Sequence, residues 1–148
     1  MPEIFVDADA CPVRDEVIRV ADRHELIVHI ICNGGIRPSR DPHVQIVVVP
    51  EGPDAADDWI AERIDAGDIA VTADIPLSAR CIRKGAQALN HDGKPFTEAG
   101  IGMALAMGDL NQTLRETGEI SGFNRGFSGR DRSRFLEALE NAVRTAKL

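Results

Sequence analysis

Aromatic residues, cysteine and positive charge are all scarce in this chain, and long apolar runs are missing. Aromatics make up 4% of the 148 residues, so few side chains are available to stack on nucleic-acid bases. Trp59 falls on a helix core face, which leaves Phe123 and Phe127 in a glycine-rich stretch. The three cysteines, Cys11, Cys32 and Cys81, are scattered and odd in number. That argues against a disulfide frame and for free thiols in a reducing compartment, so a cytoplasmic protein is expected. No uninterrupted apolar run approaches the ~20 residues of a membrane helix. The first residues carry neither the basic flank nor the apolar stretch of a secretion signal. No membrane partner is expected.

The formal net charge of −7 disfavours general attraction to nucleic acid. The charge is unevenly spread. Residues 1–120 hold 11 basic and 21 acidic side chains, a balance of −10, whereas residues 121–148 hold 6 and 3, a balance of +3. An acidic body with a basic tail suits metal-binding carboxylates beside a local phosphate-binding patch, and equally suits a solvated surface with a basic helix. With 43% hydrophobic residues the chain has enough apolar material for one proper core. It has no internal repeat and no linker long enough to divide it, so residues 1–148 are expected to form a single domain.

The apolar pattern alternates between short continuous runs and helical periodicity. Strands are expected at residues 3–7, 26–31, 44–49, 69–72 and 86–89. Helices are expected from Pro12 to about His24, Pro53 to about Asp65, Pro76 to Lys84, Thr97 to about Glu116, and Asp131 to Lys147. Continuous apolar strands between amphipathic helices are the mark of a mostly parallel sheet covered on both faces, a three-layer α/β sandwich. Asn90-His91-Asp92-Gly93 reads as a turn leading to a short edge segment at residues 94–96.

Several familiar chemistries are excluded. There is no CxxC pair and no HExxH, so zinc is a poor reading. There is no spaced EF-hand loop for calcium. Asn33-Gly34-Gly35 lacks the Gly-Lys-Ser/Thr ending of a P-loop, and it is not GxGxxG. The glycines there admit close backbone approach to an anion, although a simple turn explains them as well. The four histidines are separated and share no obvious face.

Acidic groups instead recur at strand ends. Ile4-Phe5-Val6-Asp7-Ala8-Asp9-Ala10-Cys11-Pro12 runs an apolar strand into carboxylates at i and i+2, which face one space if the strand persists. Two like charges so close call for a cation or a shared proton. The bland reading is a turn that closes the strand. Asp74 follows the fourth strand, as a ligand at the sheet's carboxyl edge or as a helix cap. At 100° per residue Ala56, Trp59, Ile60 and Ile64 form the core face of the Pro53 helix; Asp57 lies on its margin and Asp58 points outward. Converging carboxylates without histidines suit a hard cation, Mg²⁺ or Mn²⁺. Such a cation orients a water and offsets charge on a phosphoryl oxygen, which a phosphate ester needs. Asp7, Asp9, Asp57 and Asp74 are therefore the candidate metal-binding and catalytic residues. Gly34, Gly35, Arg37 and Arg132 are candidates for substrate contact, with Arg40 nearby and Arg132 favoured within Arg130-Asp131-Arg132-Ser133-Arg134. Cys11 stands at a helix start but has no evident base to pair with, so packing beneath the site is its simplest role.

The motifs Val6-Asp7-Ala8-Asp9-Ala10-Cys11-Pro12-Val13, Ala56-Asp57, Val71-Thr72-Ala73-Asp74-Ile75-Pro76-Leu77 and Asp131-Arg132-Ser133-Arg134-Phe135 together resemble the YaiI/YqxD (UPF0178/DUF188) family, over nearly the whole chain. That family is similar to the PIN-like metal-dependent nucleases. The resemblance implies a PIN-like fold whose carboxylates at the ends of parallel strands bind Mg²⁺ or Mn²⁺ and cut RNA or single-stranded nucleic acid. Asp7 then corresponds to the first-strand acid, Asp57 to the intervening helix acid and Asp74 to the acid after the fourth strand. Asp9 has no fixed equivalent, and Asp92 and Asp109 are the candidates for a fourth acid. Two rival readings stand beside it. Asp7-Ala8-Asp9 resembles the Asp-x-Asp of haloacid-dehalogenase-type phosphatases, which would make the protein a phosphomonoesterase with Asp7 as nucleophile. The other rival is a non-catalytic RNA- or protein-binding module. Strand order and oligomeric state are not legible in the sequence.

Overall fold

The computed structural model describes residues 2–8, 13–32, 42–50, 55–102 and 129–147. The elements follow the alternation in the sequence: β1 (Ile4–Asp7), α1 (Arg14–His24), β2 (Val28–Cys32), β3 (Val44–Val48), α2 (Ala55–Arg63), β4 (Ile69–Val71), α3 (Ile75–Arg83), β5 (Gln87–Leu89), a helical segment α4 at residues 98–102, and α5 (Gly129–Ala146). All five strands are parallel, in the order β3-β2-β1-β4-β5. Most expected boundaries hold to within two residues. The strand expected at 26–31 is set at Val28–Cys32 instead, because Val28 N–H bonds to the His43 carbonyl at 2.8 Å and opens the ladder there. The expected helix starts at Pro12 and Pro53 lie outside the described residues.

Strand alternation builds the three layers. Ile4 and Val6 of β1, with Ile69 and Val71 of β4, pack under α1 and α5 against Val13, Val17, Val20, Phe135, Leu139 and Val143. Phe5 and Ala70 point the other way, to Ala56, Ile60 and Ile64 of the α2 region and Leu77 and Cys81 of α3. The central strands β1 and β4 are therefore buried on both faces, which is why they read as continuous apolar runs. On the first face α1 and α5 run parallel, tied at one end by Glu16 to Arg132 (2.6 Å) and at the other by Glu140 to Arg23 (2.9 Å) and His24 (2.8 Å).

Local chemistry ends the elements. Glu25 stops α1 by adopting a left-handed conformation (φ 57°), its N–H turned back to the Ala21 and Asp22 carbonyls. Lys84 from the end of α3 covers the end of α2, its ammonium 2.9 Å from the Ala61 carbonyl. After β5 the chain folds back as expected: Leu89 bridges Pro95 in antiparallel fashion, and Phe96 N–H donates to the Ala88 carbonyl. Gly93 makes that turn with φ +89°, so close to α5 that a Cβ there would lie 2.8 Å from the Arg134 carbonyl oxygen.

Candidate functional site

The strand order decides where a site can form. From β1 the chain crosses by α1 to β2 on one side; from β4 it crosses by α3 to β5 on the other. Adjacent parallel strands whose connections leave in opposite directions open a crevice at their carboxyl ends, where open α/β sheets place ligands. β1 and β4 are that pair.

Asp7 is the last residue of β1 and Thr72 follows β4. Alternation puts both on the α2/α3 side of the sheet, since Val6 and Val71 face α1 and α5. Thr72 is fully buried, and its hydroxyl donates to Asp7 Oδ2 at 3.1 Å while accepting the Asp74 N–H at 3.0 Å. One hydroxyl thus joins the Asp7 carboxylate to the main chain of Asp74, 67 residues away in sequence. Asp74 itself is the N-cap of α3. Its Oδ1 accepts the Leu77 N–H at 2.7 Å, and its carbonyl accepts the buried Ser78 hydroxyl at 2.8 Å. Of the two sequence readings of Asp74, the helix cap is the one that its side chain makes here.

Asp57 is half-buried in the first turn of α2, on the same layer. Its charge acts on Arg80 and Cys81 of α3. Asp58 turns outward as expected and pairs with Arg80 at 2.8 Å. Burial pushes the Cys81 thiol up to about 11, against the pull of Arg80 and Lys84, so it is no nucleophile at neutral pH. α2 and α3 both begin at the carboxyl edge. The positive ends of their dipoles favour carboxylates gathered there.

Among the described residues no three His, Cys, Asp or Glu side chains gather closely enough to hold a metal ion. The described part of the rim brings Asp7 and Asp74 together through Thr72, with Asp57 on the neighbouring helix. Asp9, Cys11, Gly34, Gly35, Arg37, Arg40 and Asp109 lie outside the described residues. Asp92 accepts the Lys94 N–H at 3.0 Å and shapes the turn after β5. Arg132 lies on the opposite layer, at the start of α5, where Glu16 holds it. The Glu16 side chain is buried, with Oε2 unpartnered among the described residues. His91 follows β5 on the same rim. Burial holds its pKa below the usual histidine value, and its Nε2 has no hydrogen-bond partner among the described residues.

Sequence reasoning gave Thr72 no role. The signal was present, because alternation places Thr72 rather than Val71 on the side of Asp7, where its hydroxyl can reach a carboxylate on the neighbouring strand. Glu16 gave no comparable signal, since its partner is 116 residues away.

A family model described as "Uncharacterized BCR, YaiI/YqxD family" matches residues 5–145. The chain belongs to the YaiI/YqxD family. It is 60% identical to a UPF0178 protein of Parvibaculum lavamentivorans over 147 residues, covering 99% of this chain and 97% of that one. It is 58% identical to one from Rhodospirillum rubrum over 146 residues, covering 98% and 97%. A third, from Agrobacterium fabrum, is 56% identical over 146 residues, covering 99% and 95%. No solved structure matches the chain at a significant level. The names of these YaiI/YqxD relatives state no reaction, so a functional reading has to come from the site.

Proposed function

We propose that this YaiI/YqxD protein is a divalent-metal-dependent nuclease that hydrolyses phosphodiester bonds in RNA or other single-stranded nucleic acid, in the crevice between the ends of β1 and β4. The observation that carries the proposal is the linkage of Asp7 to Asp74 through the buried Thr72 hydroxyl at that crevice. Among the described residues, Asp7 and Asp74 offer hard carboxylate oxygens between β1 and β4, which fits Mg²⁺ or Mn²⁺. Asp7 and Asp74 would hold the ion, with Asp57 from α2 and Asp9 completing the set. When bound, the ion would polarise a water and offset the negative charge that builds on the phosphoryl oxygens.

The protein's own groups do the rest. Thr72 holds the Asp7 carboxylate in one orientation, which removes a reorganisation cost at the moment of reaction. Asp74 remains rigid because α3 is built on it. Arg132, with its side chain 47% exposed and braced by Glu16, would hold a phosphate away from the point of cleavage, and Gly34, Gly35 and Arg37 are the other candidates for substrate contact. A single strand suits the chain better than a duplex, because a chain with a net charge of −7 offers no long basic face to track a groove, while its scarce aromatics leave little for base stacking.

The test is cleavage of single-stranded RNA with Mn²⁺ by the wild type beside Asp7→Asn and Asp74→Asn. Asparagine caps helices as well as aspartate does, so Asp74→Asn keeps α3 and removes only the charge. Cutting should stop in both variants and on chelation; undiminished cutting by Asp74→Asn would sink the site. Fast turnover of a small phosphate ester with RNA left intact, or a phosphoenzyme at Asp7, would identify a phosphomonoesterase instead. RNA binding that survives chelation and Asp7→Asn without cleavage would identify a binding module.

A further inference from the structure

The two margins of the sheet are finished differently. At one margin the fold-back at Pro95 and Phe96 lies along β5. At the other, among the described residues, β3 pairs with β2 alone. Natural edge strands are protected by charge, proline, bulges or short length. β3 has none of the first three: Val44-Gln45-Ile46-Val47-Val48 is uncharged and almost wholly β-branched. That is the composition of an interior strand. Its exposure does not match that composition. Val48 is 65% exposed, Gln45 is exposed, and Ile46 and Val47 are only half-buried.

The main chain of β3 points outward in a regular way. Val28 N–H donates to the His43 carbonyl and Val49 N–H donates to the Cys32 carbonyl, each at 2.8 Å. Odd-numbered residues therefore turn their peptide groups to β2, and Val44, Ile46 and Val48 turn theirs away. We propose that β3 pairs antiparallel, about a two-fold axis at Ile46, with β3 of a second copy, joining two five-stranded sheets into one. Val44 then lies opposite Val48, and the three outward-facing residues supply all the interstrand hydrogen bonds.

A second copy fits this margin for two reasons. The segment is self-complementary and uncharged, so the isologous pairing sets no like charges face to face. The chain as a whole carries −7, and an uncharged strand is where two such copies meet with least repulsion. The crevice between β1 and β4 lies two strands inward, about 10 Å from the margin at the usual strand spacing, and stays open in the dimer.

Sedimentation equilibrium of the full chain from low-micromolar to submillimolar concentration tests the proposal. The wild type should reach twice its 16.1 kDa. Val48→Pro removes an N–H that the β2 ladder does not use, and Val48→Lys adds charge at an exposed position. Each should weaken dimerisation by at least about tenfold, the loss expected for one or two interstrand hydrogen bonds, with an unchanged far-ultraviolet spectrum. If Val48→Pro disturbs the fold, Val48→Lys decides alone. A single 16.1 kDa species at every concentration overturns the proposal. So do variants that dimerise as tightly as the wild type, and so does protection of β3 amides from hydrogen exchange in a monomer.

Discussion

Replacing Thr72 by valine keeps the shape of a fully buried side chain and deletes the hydroxyl that joins Asp7 to Asp74. Two partners lose their bond at once: Asp7 Oδ2 loses a donor and the Asp74 N–H loses an acceptor. A hydrogen bond of this kind contributes a net of about 0.5–1.5 kcal/mol. Losing the two gives roughly 1–3 kcal/mol. At about 3 °C per kcal/mol for a chain of this size, Tm should fall by some 3–9 °C. Thr72→Ser keeps the hydroxyl and loses one methyl, a change of about 1 kcal/mol. The assay is urea unfolding of the three proteins, read as a shift in midpoint at constant m, so that a change in the unfolded state is not mistaken for lost bonds. If valine and serine at position 72 prove equally stable, the hydroxyl joins nothing of consequence and the account of the rim fails. If the valine variant is destabilised but still cuts RNA at the wild-type rate, the hydroxyl holds the fold and not the reaction.

At position 74 alanine should lower stability by about 0.5–2 kcal/mol through loss of the α3 cap, whereas asparagine should change it by a few tenths; thermal melts followed by circular dichroism separate the two. Burial works against charge on Glu140, but hydrogen bonds and charges from His24 and Arg144 outweigh it and hold its carboxyl below the usual value. A depressed folded pKa means that its contribution is fully present above the ordinary glutamate value of about 4.3 and is lost as pH falls through the folded pKa. The urea midpoint of Glu140→Gln should therefore fall less steeply than that of the wild type below about pH 4.3. Gly93→Ala should destabilise by more than 1 kcal/mol, since it combines a positive φ with a Cβ placed 2.8 Å from the Arg134 carbonyl; a melting temperature equal to wild type would show that the turn moves away from α5 freely.

Much of the molecule is legible in the residues because it is local. Short continuous apolar runs marked the five strands and period-3.6 patterns the helices between them, and Ala56, Ile60 and Ile64 are buried together in the α2 region where helical geometry puts them. The acids at the ends of β1 and β4 were visible for the same reason, as charges that interrupt apolar runs. Less visible was how each acid is employed. Asp74 looked like either a cap or a ligand because an aspartate between a strand end and a helix start suits both, and the structure shows the cap. Arg132 looked like a phosphate contact, and its bond to Glu16 could not be foreseen because α1 and α5 are brought together only by packing.

The chain alone settled which segments become strands, which face of each helix is apolar, and that carboxylates stand where strands stop. These follow from backbone geometry and the burial of side chains a few residues apart. Only the tertiary structure made β1 and β4 neighbours, and so brought Asp7 within reach of Thr72 and Asp74. The choice of neighbouring strand is a contest between pairings of similar apolar runs. It is decided by the packing of whole layers, which no short window of sequence contains.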